Sequence, residues 1–303
     1  MIRVACIQIA PIFLDAKATW LKLKDRISEA AGNGAELITW GETLIPGYPV
    51  WLSPTGGATF NDPDQKRAYA TYWRESLPLN GDIVLEIAAL AGEHKVMLMG
   101  GIAEQDGGST YCTLLTFGPE GNLLGRHRKI KPTFEERLVW ADGDSSGLKT
   151  YPFKDTRVGG LNCWENWLPM ARAALHQQGE MIHVAIWPGS HGLTRDISRF
   201  IALEGRSWVI STSGLVRSSD FGHLSLDDFP MRDRMMERED SWQNGGSIIF
   251  NPKGEVVAGP LIDEEGILYA DVDPLMAVEE RQNLDISGHY SRWDIFNKPL
   301  KKS

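Results

Sequence analysis

Apolar residues fall along this chain in two alternating patterns. Residues 3–10 form a short, continuous run rich in β-branched side chains, which predicts a strand buried on both faces. Residues 16–31 then place Trp20, Leu23, Ile27 and Ala31 on one helical stripe, and Gly32-Asn33-Gly34 supplies a stop. A second apolar run, Leu37-Ile38-Thr39-Trp40, ends at Gly41-Glu42, so the order strand, helix, strand predicts a βαβ unit. The pattern recurs as a helix over 82–94, a strand over 96–101, and strands over 110–117 and 122–129 joined by a turn at 118–121. A strand over 157–162, a helix over 168–178, a strand over 182–187, a helix over 196–206 and a strand over 208–213 follow. The last quarter reads as strands at 246–250, 255–258 and 267–272. Helical and strand periods alternate throughout, and the fold class predicted is α/β.

No Gly/Ser/Pro-rich linker and no repeat of 20–50 residues divides the chain, so a single domain over 1–303 is expected. Residues 217–244 are the least regular stretch and read as a surface loop with a short helix. They equally suit a cover over a substrate pocket or a partner.

Composition removes several functional classes. A chain of 303 residues buries roughly three-quarters of its unfolded surface, so a core forms without staples. The formal net charge is -9, and no run of Lys and Arg is long enough to neutralise a row of phosphates; nucleic acid is excluded as a partner. The opening residues lack the basic flank and long apolar core of a signal peptide, and no stretch of about 18 apolar residues spans a bilayer. A cytoplasmic protein with no membrane partner is expected. Three widely spaced cysteines, Cys6, Cys112 and Cys163, argue against a disulfide framework and a structural zinc.

Three residues at predicted strand ends are candidates for chemistry. Cys163 lies between the run Val158-Gly159-Gly160-Leu161-Asn162 and a helix opening near Leu168-Pro169. A nucleophile on such a turn stands at the carboxyl edge of the sheet, where a helix N-terminus lowers a thiol pKa and the Trp164 N–H donates to developing negative charge. Glu42 follows a strand between apolar neighbours, where desolvation raises a carboxyl pKa towards the range of a general base. Lys129 closes the strand that ends His127-Arg128; its functional reading is an ammonium held near a thiolate, and its plain alternative is a solvated basic surface. A buried inert thiol and a loop-capping carboxylate are the corresponding alternatives for Cys163 and Glu42. Cys6 and Cys112 lie inside strands and read as inert. His176, His183 and His191 lack metal-ligand spacing, and no Gly-x-Gly-x-x-Gly follows the first strand; neither a metal nor a cofactor is expected. Trp187-Pro188 ends a strand and is placed to wall a pocket, with Tyr48, Trp51 and Phe134 as further wall candidates.

Taken together, these blocks resemble the nitrilase superfamily of carbon-nitrogen hydrolases, and its true nitrilase branch in particular. The resemblance rests on Gln8-Ile9-Ala10-Pro11, on Gly41-Glu42 with Pro46-Gly47-Tyr48-Pro49, and on Arg128-Lys129-x-Lys131-Pro132-Thr133. It extends to Glu136-Arg137-Leu138-Val139-Trp140 and Asn162-Cys163-Trp164-Glu165-Asn166. It implies a four-layer αββα sandwich, with Glu42 as general base, Lys129 as catalytic lysine in preference to Lys131, Cys163 as nucleophile and Glu136 as a supporting acid. The implied reaction converts a small organic nitrile to the carboxylic acid and ammonia through a thioimidate and an acyl-thioester, without cofactor or metal. An amidase acting on a carboxamide and a cyanide-degrading nitrilase are the neighbouring readings. The family also implies a homodimer or larger homo-oligomer, and its true nitrilase branch often carries a longer C-terminal tail than residues 299–303 here.

Overall fold

The computed structural model describes residues 1–296; the C-terminal tail at 299–303 lies outside them. The first half of the chain contains β1 (Ile2–Gln8), α1 (Ala16–Gly32), β2 (Leu37–Ile45), α2 (Pro63–Glu75), α3 (Asp82–His94), β3 (Met97–Asp106), β4 (Ser109–Phe117) and β5 (Leu123–Arg128). The second half contains β6 (Tyr151–Phe153), β7 (Thr156–Asn162), α4 (Pro169–His176), β8 (Ile182–Trp187), α5 (His191–Gly205), β9 (Trp208–Ser213) and β10 (Leu215–Val216). Then come α6 (Arg232–Met236), β11 (Gln243–Phe250), β12 (Val256–Ile262), β13 (Gly266–Val272), α7 (Pro274–Arg281) and the short α8 (Trp293–Phe296).

The strands form two sheets, ordered β13-β1-β2-β3-β4-β5 and β10-β11-β9-β8-β7-β6, with β12 added beside β11. Each sheet has a parallel centre, β1-β2-β3 in one and β7-β8-β9 in the other, flanked by antiparallel strands. Successive side chains of a strand point to opposite faces, and here both faces are covered. Ile2, Val4 and Cys6 of β1 meet Ile182, Val184 and Ile186 of β8 between the sheets. Ala5 and Ile7 point the other way, onto the stripe Trp20, Leu23 and Ile27 of α1 and onto Val84 and Ile87 of α3. In the second sheet, Ala185, Trp187, Val209 and Phe250 pack outward on Ile197 and Ile201 of α5. The order of layers is helix, sheet, sheet, helix, the αββα sandwich expected.

Several local expectations are corrected. The strand expected to end at Gly41-Glu42 runs on to Ile45. The helix expected over 168–178 is preceded by a separate 3-10 turn, Cys163–Trp167, and the α-helix itself starts at Pro169. Helix α5 opens at His191, five residues before its expected start, because Gly192 within its first turn reads as a breaker. Residues 217–244 do hold a short helix, α6, but they are more than a surface loop. Phe221, Phe229 and Met235 are fully buried there against Phe13, Trp51 and Tyr72. Trp51, expected as a wall candidate, therefore belongs to the core. Among the described residues, no helix is long and apolar enough to cross a membrane.

Candidate active site

Glu42 owes its position to a bulge. Strand β2 pairs Trp40 with Gly100 and then Ile45 with Ile102, so four residues of β2 face Gly101 alone. Two glycines make room for this. A Cβ at Gly101 would lie 2.4 Å from the Thr43 nitrogen, and one at Gly100 would lie 2.0 Å from the Trp40 ring. The displaced segment carries the Glu42 carboxylate across β3 towards β4 and the end of β5.

Lys129 follows β5 directly, its backbone N–H donating to Cys112 O at 2.8 Å. Its side chain is fully enclosed, and Nζ donates to Glu42 Oε1 at 3.0 Å and to Glu136 Oε2 at 2.7 Å. Glu136 sits on the 3-10 turn Phe134–Leu138, where Oε2 also accepts the Thr133 N–H at 2.6 Å and Oε1 accepts the Tyr48 hydroxyl at 2.8 Å. Cys163 opens the other 3-10 turn. Its Sγ and one oxygen from each of Glu42 and Glu136 lie within 4.8 Å of one another. The Lys129 ammonium is bonded into this cluster, so the chain itself supplies the cation that the cluster needs.

Cys163 has φ +46°, a left-handed conformation that costs a non-glycine residue about 1–3 kcal/mol. Its surroundings over-determine it. Glu165 accepts from the Asn162 N–H at 3.2 Å, from the Ile130 N–H at 2.8 Å, and pairs with His127 Nε2 at 2.7 Å, tying the cysteine turn to the lysine loop. Asn166 Nδ2 donates to Cys163 O at 2.9 Å and Leu161 O at 3.2 Å, while its Oδ1 faces His183 Nε2 at 2.8 Å. Burial works against the Glu165 anion, but His127 and the two N–H donors outweigh it and hold its pKa below the usual carboxylate range. A depressed carboxylate contributes stability that is present above its ordinary pKa of about 4.3 and lost as pH falls below it. Glu165→Ala, which strands three buried donors, is expected to destabilise the protein by about 3 kcal/mol or more at neutral pH. A denaturant midpoint unchanged from wild type would refute that role.

The electrostatics decide how the thiol works. Burial pushes the Cys163 thiol well above its usual value, and the Glu42 charge adds to this; Lys129 and the Trp164 N–H oppose them without prevailing. The thiol lowering expected from a helix N-terminus is thus corrected: a single 3-10 turn and two nearby carboxylates stand where an α-helix end was expected. Burial also raises Glu42, to about 7, against the pull of Lys129. Lys129 loses basicity to burial but regains more from Cys163, Glu42 and Glu136, and stays well above the ordinary lysine value. The resting site therefore pairs a protonated thiol with a carboxylate that titrates near neutrality and a permanent ammonium. Such a set suits base-assisted attack by sulfur on an electrophilic carbon.

A cavity of about 360 Å³ opens over Cys163. Of the expected wall residues, Tyr48, Phe134, Trp187 and Pro188 line it, together with Trp164, whose N–H was expected to donate to developing negative charge; Trp51 does not line it. Leu193, Thr194, Trp242 and Gln243 line it too, and the sequence reading missed them. It also assigned no role to Glu165, although Asn162-x-x-Glu165 is a legible capping-box pattern. Cys112 was read as inert, yet its thiol lies 3.1 Å from Glu42 Oε1. His183 is fully buried and bonded at both ring nitrogens, to Glu180 and to Asn166.

Comparison with known proteins agrees with this architecture. The chain is 36% identical to an aliphatic nitrilase of Sinorhizobium fredii (strain HH103) over 97% of its own length and 94% of that protein. It is 35% identical to an aliphatic nitrilase of Rhodococcus rhodochrous over 97% of its length and 81% of that protein. Its fold matches the crystal structure of Saccharomyces cerevisiae Nit3, a member of branch 10 of the nitrilase superfamily. That match has a TM-score of 0.72, 21% identity, and coverage of 96% of this chain and 97% of that one. Residues 3–282 match the family model described as carbon-nitrogen hydrolase, and the chain belongs to that family.

Proposed function

We propose that the protein is a nitrilase that converts a small organic nitrile to the carboxylic acid and ammonia. The observation that carries this reading is the convergence of the Cys163 thiol, the Glu42 and Glu136 carboxylates and the Lys129 ammonium beneath one cavity. Both bacterial relatives described above are named aliphatic nitrilases, so small aliphatic nitriles are the first substrates to test.

In this mechanism Glu42 takes the thiol proton as Cys163 Sγ adds to the nitrile carbon. Lys129 Nζ and the Trp164 N–H stabilise the charge that develops on nitrogen, and Glu42 delivers the proton it took to that nitrogen, which gives a thioimidate and returns Glu42 to its carboxylate form. A water deprotonated by Glu42 adds to that carbon, and ammonia leaves to form an acyl-thioester. A second water, activated in the same way, releases the acid and restores the thiol. Glu136 orients the Lys129 ammonium and the Tyr48 hydroxyl rather than exchanging protons with substrate. Breakage of the C–S bond before ammonia departs yields the amide, so the acid-to-amide ratio reports how the tetrahedral adduct is held.

The test is ammonia release from a panel of nitriles beside their matching carboxamides. Turnover of the nitriles is expected; turnover of carboxamides alone would replace this reading with an amidase. Because Glu42 serves as base in its ionised form, and burial lifts its pKa to about 7, kcat/KM should rise with pH through an apparent pKa near 7. A limb near the ordinary glutamate value of about 4.3 would show that burial does not lift Glu42 in the working enzyme. We also read the protein as a cytoplasmic homo-oligomer. Supporting the assembly, Trp167, Leu168 and Met170 are exposed in one short stretch, the kind of apolar surface that self-association covers.

A further inference from the structure

The two oxygens of Glu42 are unlike. Oε1 accepts the Cys112 thiol at 3.1 Å and the Lys129 ammonium at 3.0 Å, whereas Oε2 is buried and bonded to no group among the described residues. A buried carboxylate oxygen without a partner costs about 1–3 kcal/mol unless it is put to use. Cys112 lies on β4 opposite Ala103 of β3, beside the Gly101 position over which the β2 bulge passes, and its own carbonyl anchors the Lys129 backbone. One residue thus frames both the base and the lysine.

We propose, on the reading of the site given above, that Cys112 is a positioning residue for the general base. Its S–H donates to Glu42 Oε1, fixes the carboxylate plane together with Lys129, and leaves Oε2 as the only oxygen free to take protons from the Cys163 thiol and from water. The thiol suits this task. It is fully enclosed, and burial together with the Glu42 charge keeps it protonated, so it donates without competing as a nucleophile. The other titratable groups that face Glu42 are Lys129, Glu136, Cys163, Tyr48 and Tyr72. None of the tyrosines or Glu136 is bonded to it, so Cys112 and Lys129 are its two donors.

The experiment compares Cys112→Ala and Cys112→Ser with wild type, following nitrile turnover across pH, with thermal melting to show that each variant is folded. Loss of the donor in Cys112→Ala is expected to lower kcat about 10-fold, the worth of one hydrogen bond, with KM within about 2-fold. Its acid limb should move to higher pH, because the Glu42 anion has lost a donor that stabilised it. Cys112→Ser, which keeps a donor, should recover most of the rate and return the limb towards wild type. An acid limb that does not move in folded Cys112→Ala, or a serine variant as impaired as alanine, overturns the proposal. A measurement that needs no Cys112 substitution stands beside these. In Cys163→Ala protein, the infrared S–H stretch of Cys112 should shift as Glu42 titrates near pH 7, while that of Cys6 stays fixed. An unshifted Cys112 band overturns the proposal as well. A Cys163→Ala enzyme that retained nitrile turnover would bring down the reading of the whole site; a dead Cys163→Ala beside an unmoved Cys112→Ala limb would bring down this inference alone.

Discussion

Cys163→Ser should release ammonia from a nitrile at least about 10³-fold more slowly than wild type, although the substitution changes one atom. The reason lies in the site's proton balance. Glu42, at about 7, is matched to a thiol and is far too weak a base for a serine hydroxyl in the same enclosed position. Burial and the neighbouring carboxylates already push the Cys163 thiol upwards, and they would act on an alkoxide in the same sense. Because the replacement is nearly isosteric but buries a hydroxyl, the unfolding free energy should fall by no more than about 1–3 kcal/mol and the protein should stay folded. Loss of turnover in an intact fold therefore separates a nucleophile from a packing thiol. Turnover within about 10-fold of wild type, measured on folded protein, would remove Cys163 from the mechanism.

Lys129→Met should act on both activity and stability, and its stability effect should depend on pH. In wild type one ammonium neutralises two enclosed carboxylates at 3.0 Å and 2.7 Å. Removing one partner of a buried ion pair costs about 3–5 kcal/mol, because the remaining charge is stranded. Glu42 would escape by holding its proton, since the loss of Lys129 adds to the burial that already lifts it. A carboxyl whose folded pKa is raised is no burden below its ordinary value of about 4.3, and it costs stability progressively as pH rises towards its folded value. Denaturant midpoints of Lys129→Met should therefore approach those of wild type in acid and fall away through neutral and alkaline pH. A deficit that is constant across pH would contradict the pairing.

The sequence carried the layers of the fold more clearly than its edges. Continuous apolar runs such as 3–10 and 182–187 mark strands covered on both faces, and Trp20, Leu23 and Ile27 mark the helix that covers one of them. Helix α2 was not legible, because only Ala68, Thr71 and Tyr72 of its thirteen residues are buried and its period is weak. Residues 217–244 misled for a different reason. Their aromatic anchors, Phe221 and Phe229, are separated by polar turn residues, so the burial of each depends on partners remote in sequence.

The site shows the same division. Glu42, Lys129 and Cys163 were visible as chemistry-bearing residues at strand ends, and their order along the chain made the family resemblance specific. The bulge that carries Glu42 across β3 was hidden, because it depends on a register shift beside Gly100 and Gly101 rather than on any local turn signal. The contact between Cys112 and Glu42 was hidden too, since it spans 70 residues and appears only once that bulge is in place.

The central claim is that sulfur of Cys163, and of no other cysteine, bonds to the nitrile carbon during turnover. The most direct measurement is acid quenching during steady-state turnover, followed by intact-mass and peptide mass analysis. An added acyl or imidate mass is expected on the peptide bearing Cys163, with Cys6 and Cys112 unmodified and the adduct absent from Cys163→Ala. An adduct on Cys112 or Cys6, or turnover undiminished by Cys163→Ala, would contradict it.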